Sequence, residues 1–191
     1  MFKGQIKQAS LIFIVLSIVT GIIYPLFITG ISQVFFPSQA NGSLIYRNGK
    51  PAGSILIGQA FNDPKYFWGR ISATSPVSFN AAASTGSNLG PTNPALIEAV
   101  KVRIKALKSA DPNDKPIPVD LVTSSASGLD PHISLAAAYY QAPRIARLRG
   151  LSESTIKILI AKYTSGRLFG IIGEPVVNVL ELNLALDAYK K

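Results

Sequence analysis

Cysteine is absent from the 191 residues, and histidine, methionine and tryptophan occur once each. Without cysteine there is no disulfide, no thiolate nucleophile and no Cys-ligated zinc. With one histidine, a metal site would need to be mostly carboxylate, and no two carboxylates stand at obvious ligand spacing. Negative charge is scarce too: ten acidic residues against 19 basic ones give a formal net charge of +9. Between Lys7 and Arg47 charge of either sign is missing. No G-x-x-x-x-G-K-[ST] loop is present to cradle phosphate, no G-x-S-x-G elbow to carry a nucleophile, and no internal repeat.

Apolar residues fill the gap, at 48% of the chain with a mean hydropathy of +0.29. LIFIVLSIVTGIIYPLFITGI, residues 11–31, is apolar over about the 20 residues a helix needs to cross a bilayer. We therefore expect a cytoplasmic stretch over residues 1–8 and a transmembrane helix over 9–31. Lys3 and Lys7 precede the helix and no basic residue follows it before Arg47, which orients the amino end to the cytoplasm and the remainder outside. A cleaved signal peptide is the alternative. Ser38-Gln39-Ala40 offers small residues at peptidase spacing, but the apolar run exceeds the usual signal core of about 7–15 residues. Ser17, Thr20, Gly21 and Tyr24 share one helical face, which suits a neighbouring helix better than lipid. Pro25 should kink the helix just beyond.

A polar linker over 32–42 leads to a single extracytoplasmic domain over 43–191, of α/β or α+β class. Residues 43–46 and 54–57 read as short strands around the turn Asn48-Gly49-Lys50-Pro51. Residues 79–94 form a long loop of small residues. Asn93 caps a helix that Pro94 opens, with an apolar stripe of Ile97, Val100, Ile104 and Leu107. Residues 118–123 are a strand candidate. A helix from Ser134 to Arg149 should be interrupted at Pro143, and Arg144, Arg147 and Arg149 form a solvated or lipid-facing cluster. Ser152 caps the next helix, stapled by Leu151 and Ile156 and closed by Gly166. A short extended piece and a terminal helix end the chain. All ten acidic and 17 of the 19 basic residues follow the span, which leaves the domain near +7. The basic residues are not interleaved with aromatic platforms, so nucleic acid is not an expected partner.

The stretch SGLDPHIS holds the lone histidine. Asp130 and His132 could pair as acid and base. The structural reading explains more residues: Gly128 turns the chain, Asp130 caps, Pro131 enters a helix, and His132 lies neutral in its first turn. Trp68 in KYFWGR reads as a half-buried anchor.

LIGQAF, YFWGRISATS, GSNLGPTNP, DLVTSSASGLDPHIS, AAAYYQAPRIARLRGLS, LIAKYTSGR and GEPVVNVLELNLALD occur in that order after the apolar span. In this the chain resembles the C subunit (KdpC) of the Kdp potassium-transporting P-type ATPases over nearly its whole length, departing at Ile71, where the family favours proline. The resemblance implies a non-catalytic subunit in the cell membrane. Its partners would be a channel-like, potassium-binding subunit and a P-type subunit that hydrolyses ATP, with the bilayer around its helix. It implies a catalytic chaperone that raises the ATP affinity of the P-type subunit and stabilises the assembly. It implies no cofactor bound by this chain alone, ATP entering through the catalytic subunit. Gln141 matches a glutamine suggested to contact nucleotide. Tyr66, Phe67, Trp68, Arg70, Ser87, Asn88, Asp130 and His132 are candidate subunit contacts. Topology sets Gln141 and ATP on opposite sides of the membrane, so any effect on ATP affinity is expected to travel through subunit contacts. A domain near +7 beside a potassium entrance would repel the ion, so either its acidic residues face the pore or its surface lies off the ion path. A freestanding anchored binding protein, with a pocket near Trp68 and residues 79–94, is the alternative function, and a tethered hydrolase using Asp130 and His132 a third.

Overall fold

The computed structural model describes residues 2–189, with side chains from Gly4 onward. The side chain of Lys3, on which the expected orientation partly rests, and residues 1, 190 and 191 lie outside the described residues. The chain divides into two units, Met1–Leu44 and Ile45–Lys191.

The first unit is helical. Helix α1 (Phe2–Ile18) passes through a π-helical turn (Val19–Ile23) into α2 (Tyr24–Phe35), and a single turn α3 (Pro37–Ala40) follows. Gly4–Phe35 is one helix long and apolar enough to cross a membrane, and none of it is buried within the chain. The kink expected at Pro25 takes the form of the π turn. Proline has no N–H for the carbonyl four residues back, and the preceding Tyr24 N–H reaches five residues back to Val19 O. One extra residue in a turn of 3.6 rotates all that follows by about 100°. Tyr24 therefore leaves the face shared by Ser17 and Gly21. The Thr20 hydroxyl donates to Leu16 O at 2.7 Å within its own helix.

The second unit begins with a hairpin, β1 (Leu44–Arg47) and β2 (Lys50–Ser54). Asn48 and Gly49 both have positive φ, 52° and 74°, the signature of a two-residue type I′ turn. That turn starts the second strand at Lys50, so the strand expected at 54–57 lies four residues too late. Residues 55–93 hold no regular element beyond one bridge, Ile71 with Ser124. Helix α4 (Pro94–Ala110) is capped as expected, the Asn93 side chain accepting from Ala95 N–H at 2.9 Å. The strand expected at 118–123 is a single 3-10 turn (Val119–Leu121). Its Asp120 carboxylate accepts from the Ser134 N–H at 2.7 Å, and that cap requires a turn.

Strand β3 (His132–Ser134), helix α5 (Leu135–Arg149), helix α6 (Glu153–Lys162), strand β4 (Thr164–Ser165), strand β5 (Val176–Asn178) and helix α7 (Val179–Ala188) complete the chain. The sheet order is β3-β5-β4 with both pairings antiparallel, so the domain is α+β. His132 is thus in a strand, opposite Asn178; Ser134, not Asp130, caps the helix, accepting from Ala137 N–H. The dipole argument for His132 falls with that shift. Pro143 lies inside an unbroken α5. Helix α6 ends at Lys162 because β4 begins two residues on, ahead of the expected stop at Gly166. The core gathers Phe67, Leu121, Ile133, Ile156, Val177 and Leu182 around a run of buried alanines on α5.

Candidate functional site

The segment from Asp63 to Arg70 runs from the surface into this core, where Phe67 and Trp68 are buried, without belonging to any strand. Buried backbone polar groups need partners, and here side chains supply them. The Trp68 ring N–H donates to Asp63 O, Arg149 Nε to Lys65 O at 3.1 Å, and Arg144 to both Pro64 O and Tyr66 O. Asn183 donates to Phe67 O at 3.0 Å and accepts from Phe67 N–H at 2.9 Å. Gln141 repeats that arrangement one residue on, donating to Trp68 O at 3.1 Å and accepting from Trp68 N–H at 2.8 Å. Arg103 donates to Gly69 O at 2.8 Å. Every carbonyl from Asp63 to Gly69 is therefore bound by a side chain, most of them from α4, α5 and α7. Two amides, reading consecutive peptide groups in both directions, stand in for a neighbouring strand.

Cations enclose the aromatic rings of this segment. Arg103 and Arg144 lie 5.1 and 5.0 Å from the Trp68 ring centroid, a cation–π geometry. Arg149 lies 4.7 Å from the Tyr66 ring and pairs with Asp187 at 2.8 Å. Burial lowers the Arg144 guanidinium to about 10, which the Asp111 carboxylate partly offsets, so it keeps its charge at neutral pH. Arg144 is 2% exposed and Arg149 is mostly covered, whereas Arg147 reaches outward to Asp111 at 2.9 Å. The expected solvated arginine cluster is thus one buried side chain and two carboxylate-paired ones, of which Arg147 alone is exposed.

Asp130 anchors a second constellation. It accepts from Arg70 at 3.1 Å, from the His132 N–H at 2.9 Å, and lies 3.1 Å from His132 Nδ1. Burial pushes the Asp130 carboxyl up, but hydrogen bonds from His132 and the charge of Arg70 outweigh it and hold it below the usual carboxylate range. Asp130, His132 and Arg70 come together, then, in a ring of local bonds; Arg70 also donates to Ser124 O. Among the described residues no three of His, Asp and Glu converge as metal ligands. Ile71 donates its N–H to Thr123 O at 3.4 Å, a bond proline could not make.

Tyr66, Phe67, Trp68 and Gln141 lie in the first constellation; Ser87 and Asn88 lie in neither, both exposed in the 79–94 loop. Gln141 is 1% exposed, and it also donates to Ala137 O and accepts from Arg144. No hydrogen-bonding capacity is left over for a nucleotide. Sequence reading missed Asn183 and Arg103. A polar residue inside the leucine-rich run LELNLALD was the available signal for Asn183.

A groove of about 650 Å³ runs between α4 and residues 59–79, lined among others by Phe61, Phe79, Val102 and Arg103.

The family model described as the c chain of the K+-transporting ATPase, KdpC, matches residues 6–188. The chain is 61% identical over 188 residues to the potassium-transporting ATPase KdpC subunit of Ralstonia nicotianae, covering 98% of this chain and 92% of that protein. Proteins of the same name from Methylococcus capsulatus and Herpetosiphon aurantiacus are 60% and 62% identical, covering 98% and 93% of this chain and 99% and 92% of their own lengths.

Proposed function

The chain belongs to the KdpC family, the c chain of a K+-transporting ATPase, and from that premise we propose that it is a non-catalytic accessory subunit, held in the membrane by its amino-terminal helix. Its partners are a channel-like, potassium-binding subunit and the P-type subunit that hydrolyses ATP. The amino end is cytoplasmic, and the outer domain docks on the extracytoplasmic mouth of the channel-like subunit. It steadies the assembly and acts as a catalytic chaperone, raising the ATP affinity of the P-type subunit through subunit contacts and not by holding nucleotide. The observation that carries this reading is Gln141, buried with its amide fully engaged by Trp68, Ala137 and Arg144.

Equilibrium ATP binding tests it. The full chain in detergent should show no saturable binding below millimolar ATP. The P-type subunit should bind ATP more tightly when this chain is in the complex than when it is left out. Sub-millimolar binding to this chain alone, abolished by Gln141→Ala in a protein that keeps its Trp68 emission, would overturn it. A second reading, an anchored binding protein, is favoured by the groove beside α4. Gentle solubilisation separates the two, because only the subunit brings two larger membrane proteins with it.

A further inference from the structure

Residues 167–174 project from the sheet as a finger exposed along its whole length. Leu168 and Ile172 close it with reciprocal bonds, N–H to O, at 2.8 and 3.0 Å. Arg167 and Glu174 clamp its base through two bonds at 2.8 and 2.9 Å. The tip is apolar and outward: Phe169 is 86% and Ile171 80% exposed, with Leu168 and Ile172 close behind. Phe169 holds φ at 52°, a left-handed conformation uncommon for a bulky residue. A strained, solvent-facing phenylalanine points to a use for that position.

We propose that this tip inserts into the interfacial layer of the lipid bilayer, giving the outer domain a second membrane contact. Three observations favour lipid over a protein socket. First, only residues 36–43 separate the end of α2 from β1, at most about 28 Å of extended chain, so the domain works close to the lipid surface. Second, no side chain from Leu168 to Gly173 can donate or accept a hydrogen bond, whereas protein interfaces carry directed polar contacts as well as apolar area. Third, the Arg167–Glu174 pair neutralises the stem, and a domain near +7 is drawn to anionic headgroups. The inference rests on the reading of Gly4–Phe35 as a membrane span.

The test uses the full chain reconstituted without other subunits into vesicles of phosphatidylcholine and phosphatidylglycerol brominated on the acyl chains. Phe169→Trp and, separately, Ile171→Trp add a reporter at the tip, read as the difference from wild-type Trp68 emission. Phe13→Trp reports on the span. Loss of the tip emission in brominated but not plain vesicles is the expected result. Quenching of the Phe13→Trp reporter with both tip reporters unaffected overturns the inference and leaves the span intact; no quenching at any position overturns both. A tip that is shielded only after the other subunits are added belongs to a protein socket, which also overturns it.

Discussion

Gln141 and Asn183 carry the same type of side chain and perform the same task on adjacent residues, Trp68 and Phe67, and that repetition sets what each is worth. Each amide satisfies the N–H and the C=O of one buried residue, Phe67 for Asn183 and Trp68 for Gln141. Replacing Gln141 with leucine keeps the volume close but strands the Trp68 peptide and one contact of Arg144. Leaving a buried donor or acceptor unpaired costs about 1–3 kcal/mol each. Gln141→Leu should therefore lower stability by about 2–4 kcal/mol, and Asn183→Leu by a similar amount. Chemical denaturation followed by the emission of Trp68, the sole tryptophan, measures both. A loss below half a kcal/mol for Gln141→Leu would mean that water replaces the amide and that the site is open to ligands after all.

The elements that sequence pattern reveals are those set by local chemistry. Asn93-Pro94, Ser152 and Asn48-Gly49 each satisfy or turn the backbone within three residues, and helices α4 and α6 and the first hairpin begin where those signals stand. Elements decided by distant partners were illegible. Val119–Leu121 is a turn because Asp120 caps Ser134, 14 residues away, and His132 enters a strand because β5 lies beside it. Of the 63–70 segment only Trp68 was legible, as an anchor, since the segment's partners come from three helices. Pro25 belongs to the local class, but its outcome was a π turn where a bend was expected. Pro25→Ala restores an N–H that can reach Gly21 O. The helix should then run as a continuous α-helix, and the face after residue 24 should rotate by about 100° relative to the first half. The absence of native cysteine makes this measurable by single-cysteine labelling along residues 10–35 in vesicles. In the wild type the period of label accessibility should break phase across Val19–Ile23; in Pro25→Ala it should not. A break that persists in the variant would assign the π turn to some other cause.

Across the whole domain that follows the helix, acidic residues are few and most are committed to a partner. Asp187 shows the consequence most fully. Its carboxylate takes hydrogen bonds from Arg149 at 2.8 Å, Tyr66 at 3.0 Å and Arg47 at 3.3 Å, so one group ties the hairpin, the 63–70 segment and α5 to α7. Burial raises the Asp187 carboxyl, but the bonds from Arg149 and Tyr66 outweigh it and hold it below the ordinary range. A carboxyl whose folded value is depressed adds stability above its unfolded value of about 4, and loses it as pH falls through the lower folded value. Asp130 behaves in the same direction. Protonation of such groups leaves a domain already near +7 with its positive charge uncompensated, so acid should unfold it cooperatively below pH about 4. Asp187→Asn should be less stable than the wild type at neutral pH, and the two should converge as pH falls toward about 3. Urea midpoints across that range measure the convergence. Midpoints that stay separated by the same amount at every pH would show that Asp187 contributes through shape alone and that its charge does not hold the four elements together.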